Sequence, residues 1–340
     1  RMVAGGAGLA RRRLQPPTQA AYAALSHPKG GDPVAQRAAA PATPRRLRRY
    51  TAGQRIGWIY ILPWIVGFLV FKLYPFASSL VYSFTNFHLF KGITAFGWMN
   101  YENIFNTRKI VSALLATVQY ALLTVPLKLL FALFIAYILN FKIRGQGFFR
   151  TAYYVPSILG GSVAIAVLWK ALFRDEGLVN TLLALFGIQG PTWLSDPQYA
   201  IWIICLLRVW QFGSAMVLFL AALKGVPEEL YEAATIDGAG KGKQFLAVTV
   251  PLITPVIFYN LITQLCVAFQ EFNGPYIITN GGPRGSTTLI AMLVYNYGFK
   301  LNEMGMASAL AWIMFLAVGL LTILSFLSQK YWVYYGDGEK

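Results

Sequence analysis

Long apolar runs alternate with short polar connections along most of the chain. Six of these runs approach the roughly 20 residues that a bilayer-spanning helix needs. They cover about 57–80, 111–139, 152–172, 200–222, 253–276 and 305–328. The pattern predicts an all-α, polytopic membrane protein with about six transmembrane helices. Pro63 falls inside the first run, where neighbouring helices or water can satisfy the freed carbonyl. That run begins too far from the start and is too long for a cleaved signal peptide, and no small-residue cleavage site follows it. The arginines at 11–13 have no apolar core directly behind them, which argues against a twin-arginine signal. Residues 1–55 are rich in Ala, Pro and Arg and show no apolar period, so they read as a basic tail without fixed structure. Residues 56–330 form the membrane domain, and 331–340 a short second tail.

Composition sharpens this picture. Of 340 residues, 56% are hydrophobic and 12% charged, against about 25% charged in soluble domains. The net charge of +16 raises the question of nucleic acid. Its distribution answers it. Eleven of the 29 Lys and Arg residues precede Ile56, opposed there by Asp32 alone, and most others sit in short loops. Such a bias controls topology and does not build a phosphate-binding face, so no nucleic-acid partner is expected. A basic tail also suits anionic lipid head groups. The tail, the loop carrying Lys142, Arg144 and Arg150, and the loop carrying Lys224, Lys241 and Lys243 share one side if six spans alternate. That side is expected to be the cytoplasm, with both termini in it. The opposite loops are longer, aromatic and glycine-rich. Cys205 and Cys266 lie inside apolar runs without metal or redox spacing, and His27 and His88 stand apart. No metal site and no hydrolytic centre is expected.

Two features go beyond bare spans. The first is "PEELYEAATIDGAGKGKQFLAVTVPLITP", residues 227–255, between the fourth and fifth runs. Pro227 suits a first helical turn, and Glu228 and Glu229 complement the positive end of the helix dipole. Leu230, Ala233 and Ala234 make one small apolar face. Asp237-Gly238 ends the helix, with Gly238 free to adopt positive φ. A second short helix, "KQFLAVTV", then leads to Pro251. Such a rigid helix-turn-helix suits close approach by another protein, or packing on its own bundle. The second feature is polarity deep in the spans, which is costly in lipid. The second run holds Lys128, and the fourth holds Arg208, Trp210, Gln211 and Ser214. The fifth holds Gln264, Ala268 and Glu271 at i, i+4 and i+7, with Gln270 beside them. These residues suit a solute path; alternatively, Glu271 pairs with Arg208 or Lys128 as a structural ion pair and Trp210 is core.

"EAATIDGAG" followed by "VPLITP" resembles the EAA loop of ABC-importer permeases, with Val250 where a Leu usually precedes the Pro. "GWIYILPWIVGFLVFKLYPFASSLVYSFTNF", "FFRTAYYVPSILGGSVAIAVLWKALFRDEGLVN", "WLSDPQYA" and "YIITNGGP" resemble other parts of the carbohydrate branch, and the likeness covers about 56–330. The resemblance implies a non-catalytic permease subunit of a bacterial inner-membrane importer, with loop 224–252 carrying a cytoplasmic coupling helix. Glu232 would meet an ATPase subunit, Ala233 and Ala234 would allow close packing, and Asp237 and Gly238 would hold and make the turn. Implied partners are a second homologous permease, two ATP-binding subunits and an extracytoplasmic solute-binding protein. ATP and Mg would be bound by those partners, since the chain has no GxxxxGK[ST] loop. Sugar contacts carried over without gaps fall on Trp210, Gln211, Ser214, Gln264, Val267, Ala268 and Glu271. Lys128 and Arg208 against one deep acid, with Lys91, Arg108, Lys109, Arg284 and Lys300 in the outer loops, point toward an acidic sugar such as a uronate oligosaccharide or sugar phosphate. A neutral oligosaccharide is the alternative. A secondary transporter or channel would leave the EAA-like loop without a role, and no internal repeat suggests one.

Overall fold

The computed structural model describes residues 52–141 and 144–336. The basic tail, Lys142 and the last four residues lie outside the described residues. The chain divides into units 1–62 and 63–340. Of the first, only residues 52–62, the start of helix α1, are described; the rest of the architecture below belongs to the second.

Among the described residues the regular elements are helices, with no strand. Helices α1 (Ala52–Phe68) and α2 (Tyr74–Ser83) are joined by a wide π-type turn, Leu69–Leu73. Helix α3 (Met99–Asn106) and the long α4 (Arg108–Asn140) follow. Then come α5 (Gln146–Leu159), α6 (Val163–Leu172), α7 (Leu178–Leu185), α8 (Pro197–Trp210) and α9 (Gly213–Lys224). The chain continues through α10 (Glu228–Ile236), α11 (Lys241–Gln244), α12 (Val250–Phe269), α13 (Asn273–Ile278), α14 (Ile290–Tyr295) and α15 (Met304–Trp332). Four continuous helical stretches are long and apolar enough to cross a membrane, and up to six if two bent pairs each count as one span.

The bent pairs correct two expectations. The third run is not one helix over 152–172: α5 and α6 meet at 101°, because Gly160-Gly161 interrupts the apolar helix former. The fourth run breaks at Gln211-Phe212, where α8 and α9 diverge by 47°. The two breaks interlock. Gln211 Nε2 donates to the Gly160 carbonyl at 3.1 Å. Ser157 Oγ donates to the Gln211 carbonyl at 3.0 Å and accepts from the Ser214 N–H at 3.0 Å. Backbone groups freed by each break therefore find partners in the other span, as an apolar surround demands. A Cβ on Gly160 would run into the Gln211 side chain, and one on Gly213 into the Tyr153 carbonyl.

Of the three wide turns among the described residues, Leu69–Leu73, Phe245–Thr249 and Asn296–Lys300, the first two share a proline just beyond them. Leu69–Leu73 precedes Pro75, and a similar turn, Phe245–Thr249, precedes Pro251. A helical proline lacks its N–H and presses its ring on the carbonyl four residues back. Widening the preceding turn by one residue moves that carbonyl aside. The second short helix expected over "KQFLAVTV" is consequently not separate. Helix α11, the wide turn and α12 run on without a break from Lys241 to Phe269.

The main core gathers α4, α8, α9 and α12. Tyr120, Leu129, Ile204, Phe219 and Ile253 supply bulk, while Ala121, Ala132, Ala136 and Ala215 let helices approach closely. Two ends can be told apart. At one, Tyr137 and Phe245 rings lie 4.6 Å apart, and the Tyr334 N–H donates to Thr254 Oγ1 at 2.9 Å. The loop after α4, the loop at α10–α11 and the C-terminal segment thus share this end. At the other, the Leu89 N–H donates to the Asn302 carbonyl at 2.9 Å and the Gly305 N–H to the Phe87 carbonyl at 2.9 Å. With both native cysteines replaced by Ala, a cysteine at Phe90 should react with an impermeant thiol reagent added outside intact cells. One at Gly242 should not. The reverse labelling would invert the basic-side-inside orientation expected from the sequence.

Candidate functional site

Arg208, Gln211, Lys128, Gln264 and Glu271 come together where α4, α8 and α12 meet. Arg208, in the last turn of α8, forms an ion pair with Glu271 and donates from Nη1 to Gln211 Oε1 at 2.8 Å. Glu271 Oε1 accepts the Gly274 N–H at 3.1 Å. The carboxylate, 6% exposed, is thus held from both oxygens. It sits just past the end of α12, which stops at Phe269 with Gln270 as its cap, so the expected i, i+4, i+7 stripe does not continue as helix to Glu271. Lys128, 5% exposed, is different. Its ammonium donates to the neutral amide oxygen of Gln264 at 2.9 Å. Among the described residues, it has no carboxylate partner. The cluster holds two cations against one anion.

Tyr120 completes the cluster and was not anticipated from sequence. It is buried, and its hydroxyl has no hydrogen-bond partner among the described residues. Together with Thr124, Lys128, Arg208, Gln264, Val267 and Ala268 it lines a cavity with free volume of about 10 Å³, the space of about one water. A tyrosine within an apolar run carries no sequence signal that distinguishes it from core. In this conformation the cluster has no room for a solute larger than about one water.

The other site residues take separate positions. Gln211 is buried, with its amide occupied at both ends by Arg208 and Gly160. Trp210 is half-buried and packs on Trp169 with centroids 5.7 Å apart. Ser214 is exposed. Gln270 is exposed and donates to the Cys266 carbonyl at 3.0 Å.

The α10 loop is a second site at the opposite reach of α12. Pro227 is the N-cap, with Glu228 and Glu229 in the first turn, so the proline lies one position outside the helix. The end is a Schellman motif. The Ala239 N–H donates to Ala234 and the Gly238 N–H to Thr235, at 2.9 and 3.0 Å, with Gly238 at φ +76°. Asp237 is the exposed C-cap. Buried Gln244 ties the turn by donating to Thr235 Oγ1 and the Ala239 carbonyl, both at 2.9 Å. Tyr231 and Thr249 hydroxyls meet at 2.8 Å. The loop is therefore fastened to the fifth span. Glu232 and Ala233 are exposed on α10, as are Leu230 and Ile236 (86%).

A family model described as "Binding-protein-dependent transport system inner membrane component" matches residues 92–333. The "Probable ABC transporter permease protein YesP" of Bacillus subtilis (strain 168) is 43% identical over 84% of this chain and 93% of its own length. The "Lactose transport system permease protein LacF" of Rhizobium radiobacter is 33% identical over 81% and 94%. Among solved structures, a chain of a bacterial ABC transporter "involved in the import of the acidic polysaccharide alginate" superposes with TM-score 0.72 at 20% identity, over 82% of this chain and 96% of that one. That likeness establishes the shared fold.

Proposed function

Because the chain belongs to the binding-protein-dependent transport system inner membrane components, we propose that it forms one half of the translocation path of an ATP-driven carbohydrate importer. Permeases named for sugars among its relatives support the substrate class. The other half would be a second, related permease, for which the exposed apolar faces of α2 and α15 leave room beside lipid. Two ATP-binding subunits, with their ATP and Mg, would dock on the α10 loop, and an extracytoplasmic binding protein would deliver the sugar to the opposite end.

The observation that carries the finer reading is Lys128. A buried ammonium paired only with an amide costs stability in an apolar surround, by about 2.5–3.5 kcal/mol on insertion scales. The Gln264 amide and the Glu271 carboxylate, already engaged by Arg208, offset it only in part. An acidic group on the transported sugar would offset the rest. The fit is to a uronate oligosaccharide or another anionic sugar; a neutral oligosaccharide is the second reading, favoured by the lactose permease relative.

Isolation of the native complex tests the assembly. The expected composition is one copy of this chain, one related permease and two ATP-binding subunits. A homo-oligomer of this chain alone would favour a secondary transporter or channel instead.

A further inference from the structure

Immediately beyond Glu271 the chain builds a row of aromatic rings. Phe272 stacks on Tyr276 with centroids 4.8 Å apart and planes at 20°. Both contact Tyr295, at 5.0 and 5.5 Å. Tyr295 stacks on Phe299 at 5.5 Å and 29°. Lys300 closes the row, its ammonium 5.0 Å from the Tyr276 ring and 5.8 Å from that of Tyr295. The row begins next to the buried charge cluster. It ends two residues before Asn302, whose carbonyl holds Leu89 of the first outer loop. Exposure rises along it: Phe272, Tyr276 and Tyr295 are half-buried, and Phe299 is 71% exposed.

We propose that Phe272, Tyr276, Tyr295, Phe299 and Lys300 form a stacking track that guides an acidic saccharide from the outer loops to the Arg208–Glu271–Lys128 cluster. The inference rests on the carbohydrate reading above and adds a site to it. The C–H bonds on one face of a pyranose ring are weakly positive and apolar. They pack on the negative face of an aromatic ring, much as ring edges do. Phe299, 71% exposed, offers the first such position, and the rings behind it, now stacked on one another, would each open as a sugar advances, so several weak positions follow without a trap. Lys300 supplies the charge. Its ammonium now rests on aromatic faces by cation–π attraction, and a carboxylate arriving from outside would draw it off and expose the ring beneath. Continuity with the buried cluster at one end and complementary charge at the other favour the transported sugar over lipid as occupant.

The test uses the complete importer in proteoliposomes with saturating binding protein. Tetragalacturonate and maltotetraose are offered separately, and sugar-stimulated ATP hydrolysis is read. If neither sugar, nor any of a wider panel of neutral and acidic oligosaccharides, stimulates the wild type, the carbohydrate reading fails and the track falls with it. With a stimulating sugar, Phe299→Leu and Tyr295→Leu should lower the stimulated rate about three- to tenfold, and Phe299→Trp and Tyr295→Trp should restore it. Lys300→Gln should impair the uronate selectively. Phe299 is exposed, so its leucine variant tests the track without disturbing the core. Wild-type stimulation in both leucine variants would overturn the track while leaving the importer reading intact; the rings would then be anchors at the membrane surface.

Discussion

Glu271→Ala should destabilise the importer complex by about 3 kcal/mol. Removing one partner of a buried pair leaves the other charge uncompensated. Arg208 would then lie beside Lys128 with no nearby anion. Arg208 is partly exposed, its side chain at 23%, which places the expected cost at the lower end of the usual range. The Gly274 N–H would also lose its acceptor, loosening the entry to α13. The double variant Arg208→Met with Glu271→Met should recover much of the loss, since apolar residues of similar size often replace a buried pair at little cost. Thermal unfolding of the purified complex separates these outcomes. Equal midpoints for the single variant and the wild type would mean that the pair holds nothing.

Replacing Gly238 with Val should abolish most of the coupling between ATP hydrolysis and uptake. At φ +76°, a β-branched residue is strained by roughly 1–2 kcal/mol. The turn would unwind, and Ala239 and Thr235 would lose their places around Gln244. The membrane core, far from this turn, should remain folded. Uptake into proteoliposomes is therefore expected to fall at least about tenfold, with weaker retention of the ATP-binding subunits. Gly242→Val is the control, since a Cβ there meets open space. Uptake coupled as in wild type in the Gly238 variant would remove the loop from force transmission.

The sequence made the spans and the α10 loop legible, for different reasons. Spans announce themselves because the bilayer fixes their length and apolarity. The α10 turn was readable at Asp237-Gly238 because only glycine adopts its conformation cheaply. The breaks in the third and fourth spans were not read as breaks. Gly160 and Gly213 sit in apolar runs where glycine is common, and the break at Gln211 shows only when its amide meets Gly160 across the bundle. The wide turns before Pro75 and Pro251 follow from proline geometry, yet their position was visible only in the backbone. In the site, residue types could not divide Lys128 from Arg208. Both were candidate partners of Glu271, and the packing of α4 against α12 decided that Lys128 meets Gln264 instead. Tyr120 is not legible in the sequence, because an orphaned hydroxyl is a property of its neighbours.

The most direct test of the account compares an acidic and a neutral sugar across one variant. Lys128→Met removes the ammonium, which has no carboxylate partner among the described residues, and keeps the volume, while leaving the Arg208–Glu271 pair intact. Sugar-stimulated ATP hydrolysis by the reconstituted importer should respond more strongly to a uronate oligosaccharide than to a neutral one of equal length, and the variant should lose that preference. Equal responses to both sugars in the wild type, unchanged in Lys128→Met, would contradict the claim that the buried surplus charge reads the transported molecule.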